Sequence, residues 1–387
     1  MFKVMTVFGT RPEAIKMAPL VKELKNTPGF NCVVAVTAQH REMLDGVLEI
    51  FQILPDYDLD IMRSGQTLAQ ITNRVINGLE EILLTEKPNL VLVHGDTSTT
   101  FAASLAAFYH KIPVGHVEAG LRTSNKYSPY PEEMNRRLTG VIADWHYAPT
   151  AEAKTNLLKE NIRPETIFVT GNTVIDALLT TVATAEGQFS YLSSAVTEKP
   201  SVLSRSGKIL LLTAHRRENL GRPMEDIFKA LNKIVAEFPQ VELVFPVHKN
   251  PLVRELAQTI LGDNSRIHLI EPLDYAPFVN LMSKAYLILT DSGGLQEEAP
   301  ALGKPVLVLR DTTERPEAVK AGTVALIGTD GEAVYNQTRA LLTDSKLYSQ
   351  MSEAVNPYGD GQASKRILAA IKYGFNLSKE KPPEFAC

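Results

Sequence analysis

The feature that most constrains this chain is a regular alternation of short apolar, β-branched runs with longer stretches of helical periodicity. Runs such as Leu90-Val91-Leu92-Val93 are apolar on both faces, which is typical of parallel strands covered by helices on both sides. The predicted strands are 2–8, 32–37, 90–94, 114–118, 145–148, 167–170, 209–213, 241–246, 267–270, 287–290, 305–309 and 324–327. Predicted helices include 13–24, 67–84, 99–109, 132–143, 151–160, 224–238, 295–302 and 332–342. The pattern predicts an α/β fold with doubly wound parallel sheets.

The alternation occurs twice, on either side of a segment at 184–208 that is rich in Ser, Thr, Ala and Gly. A chain of 387 residues is also too long for one ordinary core. We therefore predict two Rossmann-like domains, 1–171 and 172–360, with a helix at 361–375 that returns to the first domain and a loose tail at 377–387. Ligands bind at the carboxyl ends of the strands in such sheets, so a cleft faced by both domains is the expected site.

The composition excludes several classes of protein. The net charge is −4 and no long basic run occurs, so a nucleic-acid partner is not expected. No apolar stretch approaches the roughly 20 residues that cross a bilayer, and the N-terminus lacks a signal-peptide pattern, so we expect a soluble protein without a membrane partner. The two cysteines, Cys32 and Cys387, are too few for a disulfide framework and fit a reducing cytoplasm.

In the second half, the turn Asp291-Ser292-Gly293-Gly294 follows the predicted strand 287–290 and opens a helix. Such a turn exposes backbone N–H groups at the positive end of the helix dipole, and glycine lets an anion approach them. Glu298, about one turn into the helix, is placed to accept hydrogen bonds from ribose hydroxyls. A helix cap without a ligand is the alternative. His215 and Arg315, which follow other strands, favour a diphosphate site.

Two cations, Arg11 and Lys16, flank the first turns of the helix that follows the first strand. The helix dipole disfavours positive charge there by roughly 0.3–1 kcal/mol. Either the fold tolerates this cost or a bound anion offsets it. We favour the anion, because the loop after the first strand of a doubly wound sheet is a common ligand site.

Three acids, Asp96, Glu118 and Glu132, stand at equivalent loop positions and are candidate catalytic groups. Asp96 has an alternative role as a helix cap, and Glu132 as an acid that stabilises a first helical turn. Glu118 closes a buried strand, where an acid is costly unless it is paired or functional. The three positions together favour acid–base chemistry at the strand ends.

Other motifs are discounted. Asp58-Leu59-Asp60 matches the Asp-x-Asp pattern of metal-dependent glycosyltransferases, but it is predicted to lie in a polar loop away from any strand end. His94 and His116 lack the local spacing of zinc ligands, and we expect satisfied buried histidines. No Gly-x-Gly-x-x-Gly follows a strand, which argues against tightly bound NAD. We expect neither a metal nor a cofactor.

Seven segments of the chain resemble, in order and with similar spacing, the non-hydrolysing bacterial UDP-N-acetylglucosamine 2-epimerases. The segments that carry the resemblance are Phe8-Gly9-Thr10-Arg11-Pro12-Glu13-Ala14-Ile15-Lys16, Val93-His94-Gly95-Asp96-Thr97, His116-Val117-Glu118-Ala119-Gly120-Leu121-Arg122, His215-Arg216-Arg217-Glu218, Thr290-Asp291-Ser292-Gly293-Gly294, Arg310-Asp311-Thr312-Thr313-Glu314-Arg315-Pro316-Glu317 and Asn356-Pro357-Tyr358-Gly359-Asp360-Gly361. The resemblance runs from Phe2 to about Ile371. It implies the glycosyltransferase-B architecture and a homodimer.

The resemblance also implies roles for single residues. The implied catalytic residues are Asp96, Glu118, Glu132 and His215. The implied substrate-binding residues are Arg11, Lys16, Leu273, Phe278, Ser292, Gly293, Gly294, Glu298 and Arg315. Leu273 falls where some relatives place Gln beside the uracil, and because leucine has no side-chain hydrogen bond to offer, contact with the base there is expected from its backbone.

The implied reaction is the reversible epimerisation of UDP-N-acetylglucosamine to UDP-N-acetylmannosamine through elimination of UDP, a 2-acetamidoglucal intermediate and re-addition, in service of cell-surface polysaccharide biosynthesis. The alternatives left open are a glycosyltransferase of the same architecture, a hydrolysing 2-epimerase and a non-catalytic UDP-sugar sensor. The assignment of acid and base among the carboxylates is left open as well.

Overall fold

The structure is a computed structural model that describes residues 1–38, 41–185 and 207–386. Most of the segment predicted at 184–208, together with Cys387, lies outside the described residues. The chain divides into two compact units, Met1–Ala177 with Tyr358–Ala386, and Leu178–Pro357. The first division falls six residues beyond the predicted boundary at 171, inside a helix whose first turns belong to the first unit.

The first unit contains a parallel sheet of seven strands among the described residues, with helices between them. Its elements in chain order are β1 Phe2–Phe8, α1 Arg11–Lys25, β2 Phe30–Val36, α2 Arg41–Ile50, β3 Tyr57–Asp58, α3 Leu68–Glu86, β4 Leu90–His94, α4 Ser98–Tyr109, β5 Val114–Val117, α5 Glu132–Ile142, β6 Trp145–Ala148, α6 Ala151–Lys159, β7 Ile167–Val169 and the start of α7 Thr173–Ala185. The strand order is β3-β2-β1-β4-β5-β6-β7. Apolar residues of β1, β2 and β4 pack on α3 and α4, which gives one face of the sheet its core.

The second unit repeats this plan with a six-stranded parallel sheet in the described residues. Its elements are β8 Lys208–Thr213, α8 Arg222–Glu237, β9 Val241–Pro246, α9 Pro251–Leu261, β10 Ile267–Ile270, α10 Tyr275–Lys284, β11 Leu287–Thr290, α11 Leu295–Glu298, β12 Val306–Val308, α12 Pro316–Ala321, β13 Val324–Leu326, α13 Gly331–Thr343 and α14 Ser345–Ser352. The strand order is β10-β9-β8-β11-β12-β13. The predicted fold class, doubly wound parallel α/β, is confirmed.

The final helix, α15 Ala363–Gly374, belongs to the first unit and packs against α1. The prediction of a loose tail after it is wrong for two residues. The backbone N–H of Phe385 donates to the carbonyl of Val169 over 2.8 Å, and Glu384 accepts a 2.7 Å hydrogen bond from Lys154. The first contact attaches the tail to β7 at the outer edge of the first sheet, and the second attaches it to α6.

Two further predictions differ from the structure. Asp58 does not lie in a loop away from any strand: it closes β3, which pairs with β2 at the sheet edge, and its carboxylate binds the guanidinium of Arg41 over 2.6 Å. The helix predicted at 295–302 is α-helical only from Leu295 to Glu298 and then tightens into a 3₁₀ turn over Ala299–Leu302. Pro300 explains the change, because proline has no N–H to continue the α-helical hydrogen bonds.

None of the helices in the described ranges combines the length and apolar character that a bilayer crossing needs. Cys32 is a buried free thiol on β2, and burial raises its pKa to about 12.

Candidate active site

In the first unit the strand order reverses between β1 and β4, so the loops after these two strands meet at the carboxyl edge of the sheet. Glu13 joins the two loops. Its carboxylate accepts hydrogen bonds from the N–H groups of Gly9 and Thr10 at 3.0 and 2.8 Å, and from the hydroxyl of Thr97 at 2.7 Å. Burial raises the pKa of this carboxyl, and the hydrogen bonds oppose that rise. The loops that carry Arg11 and Asp96 are therefore held at a fixed spacing.

Glu118 follows β5, next to β4 in the sheet. The predicted strand 114–118 ends one residue early, at Val117, because Glu118 has a left-handed backbone with φ of 63°. A residue other than glycine adopts this conformation only where its surroundings impose it, at a cost of about 1 kcal/mol or more. The sequence alone did not reveal this left-handed conformation.

Three groups converge on one oxygen of the Glu118 carboxylate, Oε2. The ammonium of Lys16 forms an ion pair with it, and the side-chain amide of Asn172 donates a 2.7 Å hydrogen bond. The third group, the imidazole Nε2 of His94, lies 3.8 Å away. Lys16 was predicted to meet a bound anion, and in the structure an internal carboxylate offsets its charge.

His94 was expected to be a satisfied buried histidine, and that expectation is wrong. The side chain is 3% exposed, and neither ring nitrogen has a hydrogen-bond partner within the described residues. Burial lowers its pKa to about 4, so the ring is neutral at pH 7. His116, by contrast, bonds through Nε2 to the carbonyl of Gly95 over 2.7 Å, and burial lowers its pKa to about 3.

Asp96 is not a helix cap, because the hydroxyl of Thr97 caps α4 instead. The Asp96 carboxylate pairs with the guanidinium of Arg136, which comes from α5. Asn135 of the same helix donates a 2.9 Å hydrogen bond to the Asp96 carbonyl. The loop after β4 is thus fixed by two elements, by Glu13 of α1 and by Asn135 and Arg136 of α5.

Glu133 is a second acid of α5, and its role could not be predicted from the sequence. It is fully buried and accepts from the Thr123 N–H at 3.1 Å, from Arg137 at 3.0 Å and from Arg136 at 3.4 Å. Arg136 therefore connects Glu133 to Asp96. Glu132, the predicted candidate, begins the helix and is half-buried, a position that the helix dipole also favours for an acid.

In the second unit the strand order reverses between β8 and β11, which brings the His215 loop beside the Ser292 loop. Asp291 connects them. Its buried carboxylate accepts 2.8 Å hydrogen bonds from the backbone N–H groups of His215 and Arg216, and its other oxygen lies 3.1 Å from Nδ1 of His215. Burial alone would raise the pKa of Asp291, but these partners hold it below its usual value. Asp291 therefore fixes the backbone of the His215 loop beside the start of the Ser292 turn.

The turn at Ser292, Gly293 and Gly294 leads into α11, where Gly294 is exposed. The N–H of Ser292 donates to the hydroxyl of Thr290 over 2.9 Å, so this group is already engaged. A Cβ at Gly293 would meet nothing closer than the Glu314 carboxylate at 3.9 Å, which leaves open space beside the backbone. Because α11 is one turn long, attraction for an anion would come from single N–H groups and nearby cations more than from a long helix dipole.

Arg315 occupies the N-cap position of α12, and its guanidinium is held by the buried carboxylate of Glu297 through Nε. Nearby, Arg310 makes a two-pronged ion pair with Glu314 at 2.8 and 3.1 Å, and this contact lowers the Glu314 pKa to about 2. Arg315 is therefore a fixed cation at the rim of the loop and not a free surface charge.

Of the remaining predicted residues, Glu298, Leu273 and Phe278 lie in the second unit and Arg11 lies in the first. Glu298 ends α11, and a Cβ on Gly294 would lie 3.5 Å from its carboxylate. Leu273 precedes α10 and Phe278 lies on that helix, both half-buried. The helix α10 contacts the 3₁₀ turn that follows α11. Arg11 begins α1 and is half-buried beside the loop that Glu13 fixes.

Two doubly wound parallel sheets in one chain, each with ordered polar groups at its switch point, define an α/β enzyme with a fold of the glycosyltransferase-B type. A family model described as UDP-N-acetylglucosamine 2-epimerase matches residues 22–372. The chain belongs to the UDP-N-acetylglucosamine 2-epimerase family, a family of isomerases, and the resemblance found in its motifs is confirmed.

Individual relatives agree over nearly the full length. The UDP-N-acetylglucosamine 2-epimerase of Bacillus subtilis (strain 168) is 60% identical over 385 residues, which covers 99% of this chain and 98% of that protein. A crystal structure of a UDP-N-acetylglucosamine 2-epimerase is 58% identical with a TM-score of 0.91, covering 100% of this chain and 99% of the other. The Neisseria meningitidis UDP-GlcNAc 2-epimerase, solved with UDP-GlcNAc bound, is 52% identical with a TM-score of 0.84, covering 96% of this chain and 99% of that one.

Proposed function

We propose that this chain interconverts UDP-N-acetylglucosamine and UDP-N-acetylmannosamine by inverting carbon 2 of the sugar. The observation that carries the proposal is the pair of carboxylates, Asp96 and Glu118, that follow the neighbouring strands β4 and β5 and are each held by a cation. An acid–base reaction on a sugar needs such groups at fixed positions. The first unit supplies these acids, and the second unit supplies the groups that bind UDP.

The chemistry of carbon 2 favours an elimination. Its hydrogen is not next to a carbonyl, so direct abstraction would give an unstabilised carbanion. If a base removes this proton while the bond from carbon 1 to the diphosphate oxygen breaks, the products are UDP and a 2-acetamidoglucal. Protonation of carbon 2 from the opposite face, with return of the diphosphate oxygen to carbon 1, gives the epimer.

In the first unit, Asp96, Glu118 and Glu132 supply the base for one face and the acid for the other, and such groups contribute roughly 10²–10⁴-fold each. Lys16 and Arg136 keep the first two carboxylates in place. Glu13 fixes the spacing of the loops, so little reorganisation is needed during the reaction.

In the second unit, the departing diphosphate is stabilised by Arg315, by the imidazole of His215 and by the backbone donors of Gly293 and Gly294. Arg11 of the first unit is proposed as a further substrate-binding residue. Glu298 accepts from the ribose hydroxyls, and Leu273 and Phe278 hold the uracil. The fixed geometry of Arg315 on Glu297 and of His215 on Asp291 supports these roles.

We also propose that the protein acts as a cytoplasmic homodimer and needs neither metal nor NAD. The dimer is proposed from the family resemblance, and light scattering on the purified protein measures it directly. Activity after treatment with a chelator, and without added nucleotide cofactor, measures the second point.

The reaction is tested by proton NMR of UDP-N-acetylglucosamine with enzyme in D₂O. We expect loss of the carbon-2 proton signal by exchange with deuterium and the appearance of UDP-N-acetylmannosamine. Accumulation of free N-acetylmannosamine and UDP would instead identify a hydrolysing enzyme. No exchange at carbon 2, with sugar transfer to an acceptor, would identify a glycosyltransferase. Binding of UDP-sugar without any reaction would identify a sensor.

A further inference from the structure

We propose that Asn172 is a positioning residue for the Glu118 carboxylate, a role that rests on the proposed function. Its side chain is almost fully buried, with 3% of the residue exposed. The amide Nδ2 donates to Oε2 of Glu118 over 2.7 Å, the same oxygen that pairs with Lys16. Lys16 supplies the charge beside this carboxylate, and Asn172 supplies a second, uncharged donor that fixes its direction.

The orientation of the Asn172 amide is determined by its other end. The carbonyl Oδ1 accepts a 3.1 Å hydrogen bond from the N–H of Val174, in the first turn of α7. Since that N–H is one of the donors a helix leaves unpaired, Oδ1 must face it, and Nδ2 must face Glu118. One side chain thus both caps α7 and holds the carboxylate.

The backbone around Asn172 is fixed by the returning end of the chain. Its N–H donates to the carbonyl of Tyr358 over 2.6 Å, and a Cβ on Gly359 would lie 3.4 Å from the same nitrogen. Four residues further along α7, Asp176 accepts from the N–H groups of Ala363 and Ser364 at 3.1 and 2.8 Å. These contacts join the two segments in which the chain leaves and re-enters the first unit. The side-chain hydrogen bond of Asn172 connects this junction to the Glu118 carboxylate.

The left-handed backbone of Glu118 makes this support necessary. A strained residue keeps its conformation only where neighbouring contacts over-determine it. Lys16 has a long, flexible side chain, so it fixes the carboxylate less well than the short amide of a buried Asn. Without Asn172, the Glu118 carboxylate still pairs with Lys16, but it no longer has one fixed orientation.

Two substitutions separate this role from that of a helix cap. Asn172→Ser keeps an oxygen that can cap α7 and removes the amide N–H that reaches Glu118, because the serine side chain is shorter. Asn172→Asp also keeps the cap and replaces the donor with a second carboxylate. Asn232→Ser is the matched control, since its amide donates to the backbone carbonyl of Ile260, over 3.1 Å, in the second unit.

Carbon-2 exchange is first measured for the wild type by NMR, because a wild type without exchange refutes the proposed function itself. Given exchange, we expect Asn172→Ser to lower kcat at least about tenfold with UDP affinity within about twofold of wild type, as for lost transition-state stabilisation. In Asn172→Asp the acidic limb of the kcat–pH profile moves to higher pH, because two adjacent carboxylates resist double ionisation. Asn232→Ser should leave both quantities unchanged.

The inference is overturned if Asn172→Ser and Asn172→Asp keep wild-type kcat and pH profiles. It is also overturned if the melting temperature and UDP affinity fall together with kcat and the profile does not move, since this pattern marks a structural role alone. A profile that shifts in Asn172→Asp while the melting temperature stays within a few degrees of wild type supports it.

Discussion

Glu132 and Glu133 are adjacent acids of the same helix. We expect Glu133→Gln mainly to lower the stability of the protein and Glu132→Gln mainly to lower its turnover. Glu133 is fully buried and holds the Thr123 N–H and two guanidinium groups, of which that of Arg137 is 39% exposed. Glu132 is half-buried at the helix start. Glutamine keeps the shape of either side chain and removes its charge, so the pair compares two positions with one chemical change.

The expected sizes follow from these contacts. Hydrogen bonds to charged groups contribute about 1.5–3 kcal/mol each, and an exposed partner contributes less, so Glu133→Gln should cost about 3 kcal/mol in the free energy of unfolding of the first unit. For a unit of this size that is a fall in melting temperature of about 6–12 °C. Glu132→Gln loses about 0.5 kcal/mol of helix-dipole stabilisation, or about 1–2 °C. Its kcat should fall about 100-fold or more if Glu132 is an acid or base.

Thermal unfolding of both variants is followed at one fixed scan rate, and kcat is taken from initial rates of UDP-N-acetylmannosamine formation. Glu133→Gln should also lose turnover, because Arg136 connects Glu133 to Asp96. The reasoning is refuted if the two variants melt at the same temperature. Near-normal kcat in Glu132→Gln would remove Glu132 from the mechanism, whatever its melting temperature.

Three more predictions concern other parts of the molecule. Asp96→Asn should lower kcat about 100-fold or more and leave UDP affinity within about twofold, as isothermal titration with UDP and rate assays would measure, and a normal kcat would contradict its role. Ser292→Asp should abolish UDP binding in the same titration by charge repulsion at the turn, so unchanged affinity would move the diphosphate elsewhere. Burial lowers the pKa of His94 to about 4 and the pKa of His116 to about 3 in the folded protein. In the unfolded chain a histidine has a pKa of about 6.5, so below that pH the unfolded state binds more protons than the folded state. The free energy of unfolding therefore falls as the pH falls from about 6.5 towards the folded-state pKa values. From pH 7.5 to 5.5 we expect a loss of about 1 kcal/mol per histidine in urea unfolding, and a shallower loss in His116→Gln; equal slopes for the two proteins would contradict it.

Most strands of both sheets could be predicted because they are short apolar runs, and the central ones, such as Leu90–His94 and Leu287–Thr290, are buried on both faces. Their ends agree with the structure within one or two residues, as for 114–118 and 305–309 against Val114–Val117 and Val306–Val308. The strand Tyr57–Asp58 could not be predicted, because two residues are too few to show the alternation of apolar and polar residues that marks a strand. This strand exists only through its pairing with β2.

The positions of Asp96, Glu118, His215 and Ser292 followed from one rule, that polar groups after parallel strands meet at a shared edge, whereas Leu273 and Phe278 came only from the family resemblance. The same rule would have found Asn172 after β7 and Asp291 after β11. What the rule could not give is the partner of each group. That Lys16 pairs with Glu118, and Arg315 with Glu297, depends on side chains 102 and 18 residues apart in the chain meeting in space.

The guanidinium of Arg136 has a consequence for how this enzyme can change over evolutionary time. One planar group serves a fully buried acid that stabilises the helix and a strand-end acid proposed for turnover. Lysine offers a single point charge in place of a planar fork, so it would hold both acids with poorer geometry. Any lineage that needs only a folded protein would therefore still retain the geometry around Asp96, and loss of activity by drift should begin at other positions.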